Sequence, residues 1–400
     1  MGTRRLRGCT SAAVALGVLA AAGCEDPVVK VFDYAASSPI YSTPAITPNA
    51  IIFGSENGEV VALNKAGEFM WKYSTRRDVV GAVRVADNVV LFGSTNNTFY
   101  ALDLGGRDVW KYTTDARIKG DPLVVGKSVV FGSYDKHVYA LSILNGHREW
   151  MFPDDTPAAA PAEAPPPAPP PGDKGAKPGA AAPAPAAAPP AEEKIIPTEA
   201  FSYASPVLVG EDVVLGNLDG YIYAINAHTG KLHWRFKTDG ADRKKGVTST
   251  VVETADALVF GANDGQVYAL AKDGSSVKWK FKTGDEVNAT ATVDQQGNIY
   301  IGGVDQVFYA LDGAGKERWR YQLKGPVMGR GAIIENLVLF AGGAGDNTVY
   351  AVDRDTGKLF WSFLTNGKIE TDVVAEGNRA YVASEDRRLF CFEFKKTRGK

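Results

Sequence analysis

Cysteine and histidine are scarce in this 400-residue sequence, and neither sign of charge dominates it. Three cysteines exclude a disulfide-built scaffold. The 44 basic and 46 acidic side chains give no general electrostatic reason to bind nucleic acid. The four histidines lack a metal-ligand spacing, and no Gly-x-Ser-x-Gly nucleophile motif occurs. The sequence therefore predicts no enzyme, no metal and no cofactor.

The apolar run at residues 12–22 is too short for the roughly 20 residues that span a bilayer. It follows three arginines and ends in Gly23-Cys24, a pattern typical of a secretory signal peptide. We expect the signal peptide at residues 1–23 and a tether at 24–27. Residues 19–24 resemble the bacterial lipoprotein signal, which implies a lipid on Cys24. The alternative is an ordinary secretory peptide in which Cys24 is incidental.

Proline is unevenly distributed, since 15 of the 22 prolines lie between residues 153 and 197. This segment has no aromatic residue and consists mainly of proline and alanine, so it cannot bury enough apolar area to fold. We expect residues 153–197 to form a disordered insert. It is either a tolerated surface insertion or a semi-rigid reach toward the cell wall or a partner.

All seven tryptophans recur in the same local context, 39, 40, 84, 45, 40 and 42 residues apart, and the long interval contains the insert. An apolar run ending in glycine, a turn acid or amide, and a Tyr-Ala-Leu segment mark eight repeats of about 40 residues. Each repeat reads as four short strands joined by tight turns. Such units, repeated four to eight times, are the signature of a β-propeller.

The two ends of the chain complement each other. The eighth repeat ends after three strands, and residues 28–34 form an orphan strand in which Phe32-Asp33-Tyr34 matches the Trp-Lys-Tyr pattern. The sequence therefore predicts an all-β, eight-bladed propeller of four-stranded antiparallel blades, with the last blade closed by the N-terminal strand. Blades 1–3 and the closing strand occupy residues 28–152, blades 4–8 occupy 198–394, and 395–400 form a basic tail.

Residues 224–234 and 351–361 resemble the tryptophan-docking motif of quinoprotein-type (PQQ-like) eight-bladed propellers. The resemblance implies a blade-docking role for seven residues: Trp71, Trp110, Trp150, Trp234, Trp279, Trp319 and Trp361. With the lipoprotein signal and eight minimal repeats, the chain resembles the BamB family of outer-membrane assembly lipoproteins.

That second resemblance implies a non-catalytic scaffold that faces the periplasm from the outer membrane and binds a BamA-like barrel assembly protein or other envelope proteins. The alternatives are a propeller that binds another envelope partner or a polysaccharide, and a quinone-dependent dehydrogenase. Retention at the inner membrane also remains open, because Glu25 and Asp26 follow the lipid site.

Two sets of polar residues are candidate sites. The long connection 237–246 carries Asp242, Arg243, Lys244 and Lys245. The family resemblance makes these partner-contact candidates, although acids of the family pattern are replaced at Gly246 and Thr248. The alternative is a solvated loop. The second set, Asp121, Arg330 and Asp372, stands where small residues begin the innermost strands. We expect these three to line the central channel, where Arg330 pairs with Asp372, either as a structural ion pair or as a ligand site.

Replacing Cys24 tests the predicted anchor. We expect Cys24→Ser to remain an uncleaved precursor that takes up no fatty acid, because the serine hydroxyl cannot take the thioether-linked lipid. The measurement is intact mass and fatty-acid labelling of the expressed chain. Normal cleavage and unchanged membrane association of Cys24→Ser would contradict the lipoprotein prediction.

Overall fold

The computed structural model describes residues 26–154, 195–201, 203 and 205–395. Within these residues, 32 strands pair into eight separate four-stranded antiparallel sheets. The sheets form the blades of a ring, and in each blade the first strand is innermost and the last is outermost. The predicted fold class, an all-β eight-bladed propeller, is confirmed.

The closing strand is β1 (Val28–Ala35). Blades 1 to 4 consist of β2 (Ala45–Ile46), β3 (Ile51–Gly54), β4 (Glu59–Leu63), β5 (Phe69–Ser74); β6 (Arg84–Ala86), β7 (Val89–Gly93), β8 (Thr98–Asp103), β9 (Asp108–Thr113); β10 (Leu123–Val125), β11 (Ser128–Gly132), β12 (Val138–Ser142), β13 (Arg148–Phe152); β14 (Val207–Val209), β15 (Asp212–Gly216), β16 (Tyr221–Asn226) and β17 (Leu232–Lys237). Blades 5 to 8 consist of β18 (Val252–Glu253), β19 (Leu258–Ala262), β20 (Gln266–Leu270), β21 (Val277–Lys282); β22 (Thr292–Val293), β23 (Ile299–Gly302), β24 (Val307–Leu311), β25 (Glu317–Gln322); β26 (Ala332–Ile334), β27 (Leu337–Ala341), β28 (Thr348–Asp353), β29 (Leu359–Leu364); and β30 (Val374–Glu376), β31 (Arg379–Ser384), β32 (Arg388–Phe394).

The ring closes through β1, which is the outermost strand of blade 8. It pairs antiparallel with β32, so that Val29 lies opposite Glu393 and Ala35 lies opposite Arg388. The sheet order β1-β32-β31-β30 completes the three strands at the end of the chain. The prediction that the N-terminal strand closes the last blade is therefore confirmed.

The hydrophobic core lies between the blades. Each of eight buried clusters combines side chains of two neighbouring blades, as where Val60 of blade 1 packs with Phe92 of blade 2. The glycine that ends the second strand of most blades serves this packing. A Cβ on Gly54 would lie 2.3 Å from Val79, and one on Gly302 would lie 2.2 Å from Val327, each on the connection to the next blade. Glycine is needed there because an apolar side chain occupies that space.

Six of the seven docking tryptophans cover a turn of the following blade, and Trp361 instead packs against Phe392 and Phe394 of blade 8. The indole of Trp71 lies over Gly106, and the indole of Trp319 lies over Gly357, two glycines with positive φ. Five indole N–H groups also donate to a backbone carbonyl of that turn: Trp71 to Leu104, Trp110 to Ile143, Trp150 to Ala227, Trp279 to Gly313 and Trp319 to Arg354, at 2.7–3.0 Å. In the closing strand Phe32 takes this place and lies over Gly67.

A β-bulge precedes the docking residue in every outermost strand. In blade 1, for example, Ala62 pairs with Trp71 and Leu63 with Phe69, so Met70 is the extra residue. We call the eight equivalent positions the bulge residues: Val31, Met70, Val109, Glu149, His233, Lys278, Arg318 and Phe360. An extra residue bends the strand and turns its own side chain away from the regular pleat.

The turn acids have a structural partner in the following strand. The hydroxyl of Tyr268 donates to Asp264 at 2.6 Å, and Tyr309 donates to Asp305 at 2.6 Å. Burial, followed by the hydrogen bond to Asp264, raises the pKa of Tyr268. The tyrosine therefore stays a proton donor, and the acid is held in the hairpin turn.

Several predicted features lie outside the described residues. These are Cys24, the predicted signal peptide, residues 155–194 of the predicted insert and residues 396–400 of the predicted tail. Among the helices within the described ranges, none is both long and apolar enough to cross a membrane.

Trp150 provides a test of the docking contact, because it is 7% exposed and its N–H donates to Ala227 at 2.8 Å. We expect Trp150→Ala to lower the free energy of unfolding by about 3–5 kcal/mol through the cavity that it leaves. Trp150→Phe keeps a ring but loses the N–H, so we expect a loss of about 1 kcal/mol. Urea unfolding measures both. Equal stability of the alanine and phenylalanine variants would contradict the docking role.

Candidate functional site

The connections between blades all emerge on one side of the ring, which we call the upper face. It carries the turns between second and third strands and the links from each outermost strand to the next innermost strand. The described ends of the link between blades 3 and 4 and the link 238–251 between blades 4 and 5 both lie on this face. The turns between third and fourth strands lie on the opposite, lower face.

Eight equivalent residues stand near the axis just before the innermost strands, and we call them the axial ring. They are Thr43, Ala82, Asp121, Ser205, Thr250, Thr290, Arg330 and Asp372. The ring is tight: a Cβ on Gly329 would lie 2.0 Å from the carbonyl oxygen of Thr371 in the next blade. Small neighbouring residues are required here because eight segments of the chain converge on one axis.

Backbone-to-side-chain hydrogen bonds link the axial ring from blade to blade. In each link, the N–H of one ring residue donates to the side-chain oxygen of the next: Ala82 to Asp121 (2.7 Å), Asp121 to Ser205 (3.3 Å), Ser205 to Thr250 (3.3 Å), Thr250 to Thr290 (3.1 Å), Arg330 to Asp372 (2.7 Å) and Asp372 to Thr43 (3.2 Å). The series stops at Ala82 and Arg330, whose side chains contain no acceptor.

The axial ring separates two cavities on the propeller axis. The upper cavity has a volume of about 570 Å³, and Asp121, Thr250 and Thr290 line it. The lower cavity has a volume of about 640 Å³ between the innermost strands, and Arg84 and Arg330 line it. Thr43 and Asp372 line both cavities. Polar hydroxyl and carboxylate groups thus mark the narrowing between them.

Two acids and two arginines give the axis its charge. Arg84 lies 3.6 Å from Asp121 in an ion pair. Burial, followed by the charge of Asp121, raises the pKa of Asp372 to about 6, while the backbone N–H of Arg330 and the charges of Arg330 and Arg84 oppose the shift. Withdrawal from water disfavours the charged carboxylate.

The structure brings the three predicted channel residues to this ring but links them differently from the expected ion pair. Arg330 contacts Asp372 through its backbone N–H, which is the donor of the 2.7 Å hydrogen bond. Sequence reasoning missed Arg84 and the belt of serine and threonine acceptors. Thr43, Ser205, Thr250 and Thr290 occupy equal repeat positions, which indicates small residues near the axis but does not indicate which oxygen accepts a hydrogen bond.

A cationic and aromatic cluster borders the upper cavity at blades 3 and 4. The guanidinium carbon of Arg117 lies 4.4 Å from the ring centroid of Tyr134. Lys119 donates to the hydroxyl of Tyr203 at 3.1 Å and lies 5.1 Å from that ring's centroid. Cations over aromatic faces are stabilised by the ring quadrupole.

The connection between blades 7 and 8, with the neighbouring turn of blade 8, gives the upper face an acidic border. Lys368 lies 2.9 Å from Glu370 and 2.8 Å from Glu385. Burial, followed by the charge of Glu385, raises the pKa of Tyr41 to about 12. The upper face is therefore positive near blades 3 and 4 and negative near blades 7 and 8.

The connection after β17 presents the predicted partner-contact residues on the upper face. A short 3-10 helix, Ala241–Arg243, ends at Lys244 in the left-handed region with φ of 54°. Lys237 lies 2.6 Å from Asp242, and Lys245 lies 2.6 Å from Glu286 of the next connection. Arg243 and Lys244 are exposed. Flanking ion pairs thus hold two exposed cations in a defined turn.

Neither a metal-binding cluster nor an exposed thiol occurs among the residues that the structure describes. Within 26–154, 195–201, 203 and 205–395, no group of three or more His, Cys, Asp or Glu side chains is placed to hold a metal ion. Cys391 is buried, and burial raises the pKa of its thiol to about 11. A protonated, enclosed thiol is a poor nucleophile.

Asp372 makes the stability of the propeller depend on pH. Its folded pKa of about 6 exceeds the ordinary value of 3.8, so its contribution is present below pH 3.8 and is lost as the pH rises through 6. Asp372→Asn stays neutral and still accepts the N–H of Arg330. We expect this variant to be more stable than the natural chain at pH 8, by about 1–2 kcal/mol because the cavity water screens part of the effect.

At pH 4 that difference should nearly vanish, which urea unfolding at the two pH values measures. Asp353→Asn is the control of opposite sign, because the hydrogen bond from Thr356 lowers the pKa of Asp353. This control should be less stable than the natural chain at pH 8. A gain for Asp372→Asn that is equal at pH 4 and pH 8 would refute the titration of Asp372.

Comparison with known proteins identifies the family. A family profile described as outer membrane protein assembly factor BamB matches residues 37–107, 56–174, 195–286, 263–367 and 305–399. No curated protein sequence matches the chain.

Solved structures share the fold at low identity. BamB from Moraxella catarrhalis has a TM-score of 0.70 at 16% identity, covering 92% of this chain and 100% of that one. The quinohemoprotein alcohol dehydrogenase from Comamonas testosteroni has a TM-score of 0.71 at 13% identity, covering 94% of this chain and 78% of that one. The computationally designed Ika8 protein has a TM-score of 0.68 at 16% identity, covering 90% and 97%. These likenesses show the eight-bladed fold alone, whereas the profile spans nearly all of the propeller, and the chain therefore belongs to the BamB family of PQQ-repeat propellers.

Proposed function

We propose that this chain is a non-catalytic lipoprotein of the cell envelope that acts as a protein-interaction scaffold in outer-membrane β-barrel assembly. In this proposal a lipid on Cys24 holds it at the outer membrane, facing the periplasm, and its partner is a BamA-like barrel assembly protein. The observation that carries the proposal is the family match, which extends over all eight blades. That family is described as outer membrane protein assembly factor BamB.

The geometry of the upper face supports a scaffold. The polar groups of the axial ring are engaged in hydrogen bonds between blades, and the turn acids are engaged by tyrosines. Groups held in this way position the blades. Exposed side chains that differ from repeat to repeat also occur on the upper-face connections, where binding residues are common.

Arg243 and Lys244 are the proposed partner contacts. The ion pairs of Asp242 with Lys237 and of Lys245 with Glu286 fix the loop on both sides of them. A loop that is ordered before binding loses less conformational entropy when the partner docks. Because both contact residues are cations, the complementary partner surface is acidic.

Charge reversal tests this contact. We expect Arg243→Glu combined with Lys244→Glu to lower the recovery of the barrel assembly protein by at least about tenfold, because like charges then face each other. The measurement is affinity capture through the propeller from detergent-solubilised envelopes, quantified by mass spectrometry.

The matched control is Lys231→Glu combined with Lys316→Glu, which makes the same charge change on exposed turns of the lower face. The control should capture as much partner as the natural chain. Failure of the natural chain to recover any barrel assembly protein would refute the proposed function. Equal recovery by both double variants would refute the loop contact alone.

A further inference from the structure

The bulge residues divide the outer edge of the ring into two unlike halves. In the consecutive blades 7, 8, 1 and 2 they are apolar: Phe360, Val31, Met70 and Val109. In blades 3, 4, 5 and 6 they are polar: Glu149, His233, Lys278 and Arg318. Because all eight occupy the same position in the blade, packing within the blade does not explain the division. We call the first set the apolar arc.

All four members of the apolar arc are exposed, although aliphatic and aromatic side chains normally seek burial. Phe360 and Val31 are 38% and 37% exposed, and Met70 and Val109 are each 47% exposed. Further exposed apolar side chains extend the arc at the starts of the same strands and in adjoining lower-face turns: Val29, Phe69, Leu104, Leu144 and Leu359. In the other half, Val277 is an exposed aliphatic side chain on an outermost strand, at 36%, whereas the exposed Ile196 and Leu208 lie on the link before blade 4 and on its innermost strand. Exposed apolar side chains that are concentrated on one side of a protein mark an interaction surface.

The start of the chain lies in the middle of this arc. Strand β1 is the outermost strand of blade 8, and Val28 follows Cys24 by only four positions. Four residues of extended chain span at most about 14 Å. A lipid on Cys24 would therefore hold the outer edge of blade 8 within that distance of the membrane. This step rests on the lipid anchor of the proposed function.

We propose that the apolar arc rests on the lipid bilayer, with the outer edges of blades 7, 8, 1 and 2 against the membrane interface. The occupant is the lipid surface because the short tether brings that surface to the arc. The arc also lies on the outside of a ring, where its members come from separate blades. A deformable lipid interface can receive such separated side chains, each inserting shallowly among the head groups.

Site-specific labelling tests the contact. Single cysteines at Met70→Cys and Val109→Cys report on the arc, and Lys278→Cys and Arg318→Cys at the equivalent positions of the other half are the matched controls. Buried Cys391 does not compete for the label. The full chain, expressed with its own leader, is labelled with an environment-sensitive nitrobenzoxadiazole dye and reconstituted into vesicles of phosphatidylethanolamine and phosphatidylglycerol.

We expect dye emission at positions 70 and 109 to rise at least twofold on reconstitution, with little change at 278 and 318. Equal changes at all four positions overturn the proposal. A rise at 70 and 109 that occurs in detergent and grows with protein concentration also overturns it, because a second copy of the chain then covers the arc. Loss of the chain from floated vesicles refutes the anchor and the arc contact together.

None of these outcomes depends on the barrel assembly protein, which is absent from the vesicles. Failure of the arc contact is therefore distinguishable from failure of the assembly function, which the capture experiment measures separately. A second variant checks that folding is retained. Met70→Lys combined with Val109→Lys changes exposed side chains only, so the unfolding midpoint of this double variant should match that of the natural chain. When Val31→Cys is added to the double variant and labelled, its dye response to vesicles should be smaller than that of Val31→Cys alone.

Discussion

Closure of the ring by β1 is the constraint on which the rest of the structure depends. Every buried cluster is shared by two blades, so a blade has no complete core of its own. The cluster between blades 8 and 1 combines Leu389 and Cys391 with Phe53, and Phe32 and Tyr34 of β1 cover it. Without β1, the third strand of blade 8 would become an exposed edge beside an uncovered core. The first strand of the chain thus determines whether its last blade is stable.

Much of this architecture could be predicted because it recurs. Seven tryptophans at a spacing of about 40 residues, and an N-terminal strand that fits an incomplete final repeat, specify the number of blades and the closure. The axial belt could not be predicted in the same way. Thr43, Ser205, Thr250 and Thr290 are small polar residues without a sequence motif, and only the convergence of eight strands on one axis brings each oxygen to the N–H of the preceding blade. Arg330 does contact Asp372, but the donor is its backbone N–H and not the expected guanidinium. The direction of the backbone decides which of these groups faces the acid.

The hydrogen bonds of the axial ring also offset the free-energy cost of burying an acid on the axis. Burial disfavours ionised Asp372, yet its carboxylate accepts the N–H of Arg330 at 2.7 Å, and its own N–H reaches Thr43. A net contribution of about 0.5–1.5 kcal/mol per hydrogen bond makes two such links comparable to the penalty of a partly screened carboxylate. Asp121 is in the same position in blade 3, where Arg84 compensates its charge. The described contacts thus give each acid at the axis a blade-to-blade hydrogen bond that offsets part of the cost of its burial.

In a ring of similar blades, we expect function to depend on the side chains and loops that differ from one blade to another. Two such differences fall on the upper-face connections of blades 3 to 5: the proline-rich link after β13 and the loop that carries Arg243 and Lys244. The apolar bulge residues fall on blades 7, 8, 1 and 2, around the strand that begins the chain. In an eight-membered ring, blade 4 lies directly opposite blade 8. The features suited to a protein partner and those suited to a membrane therefore occupy opposite sides of one rigid body. In the proposed arrangement, with blade 8 held at the membrane, a partner on blade 4 binds without competing with the membrane for the same surface.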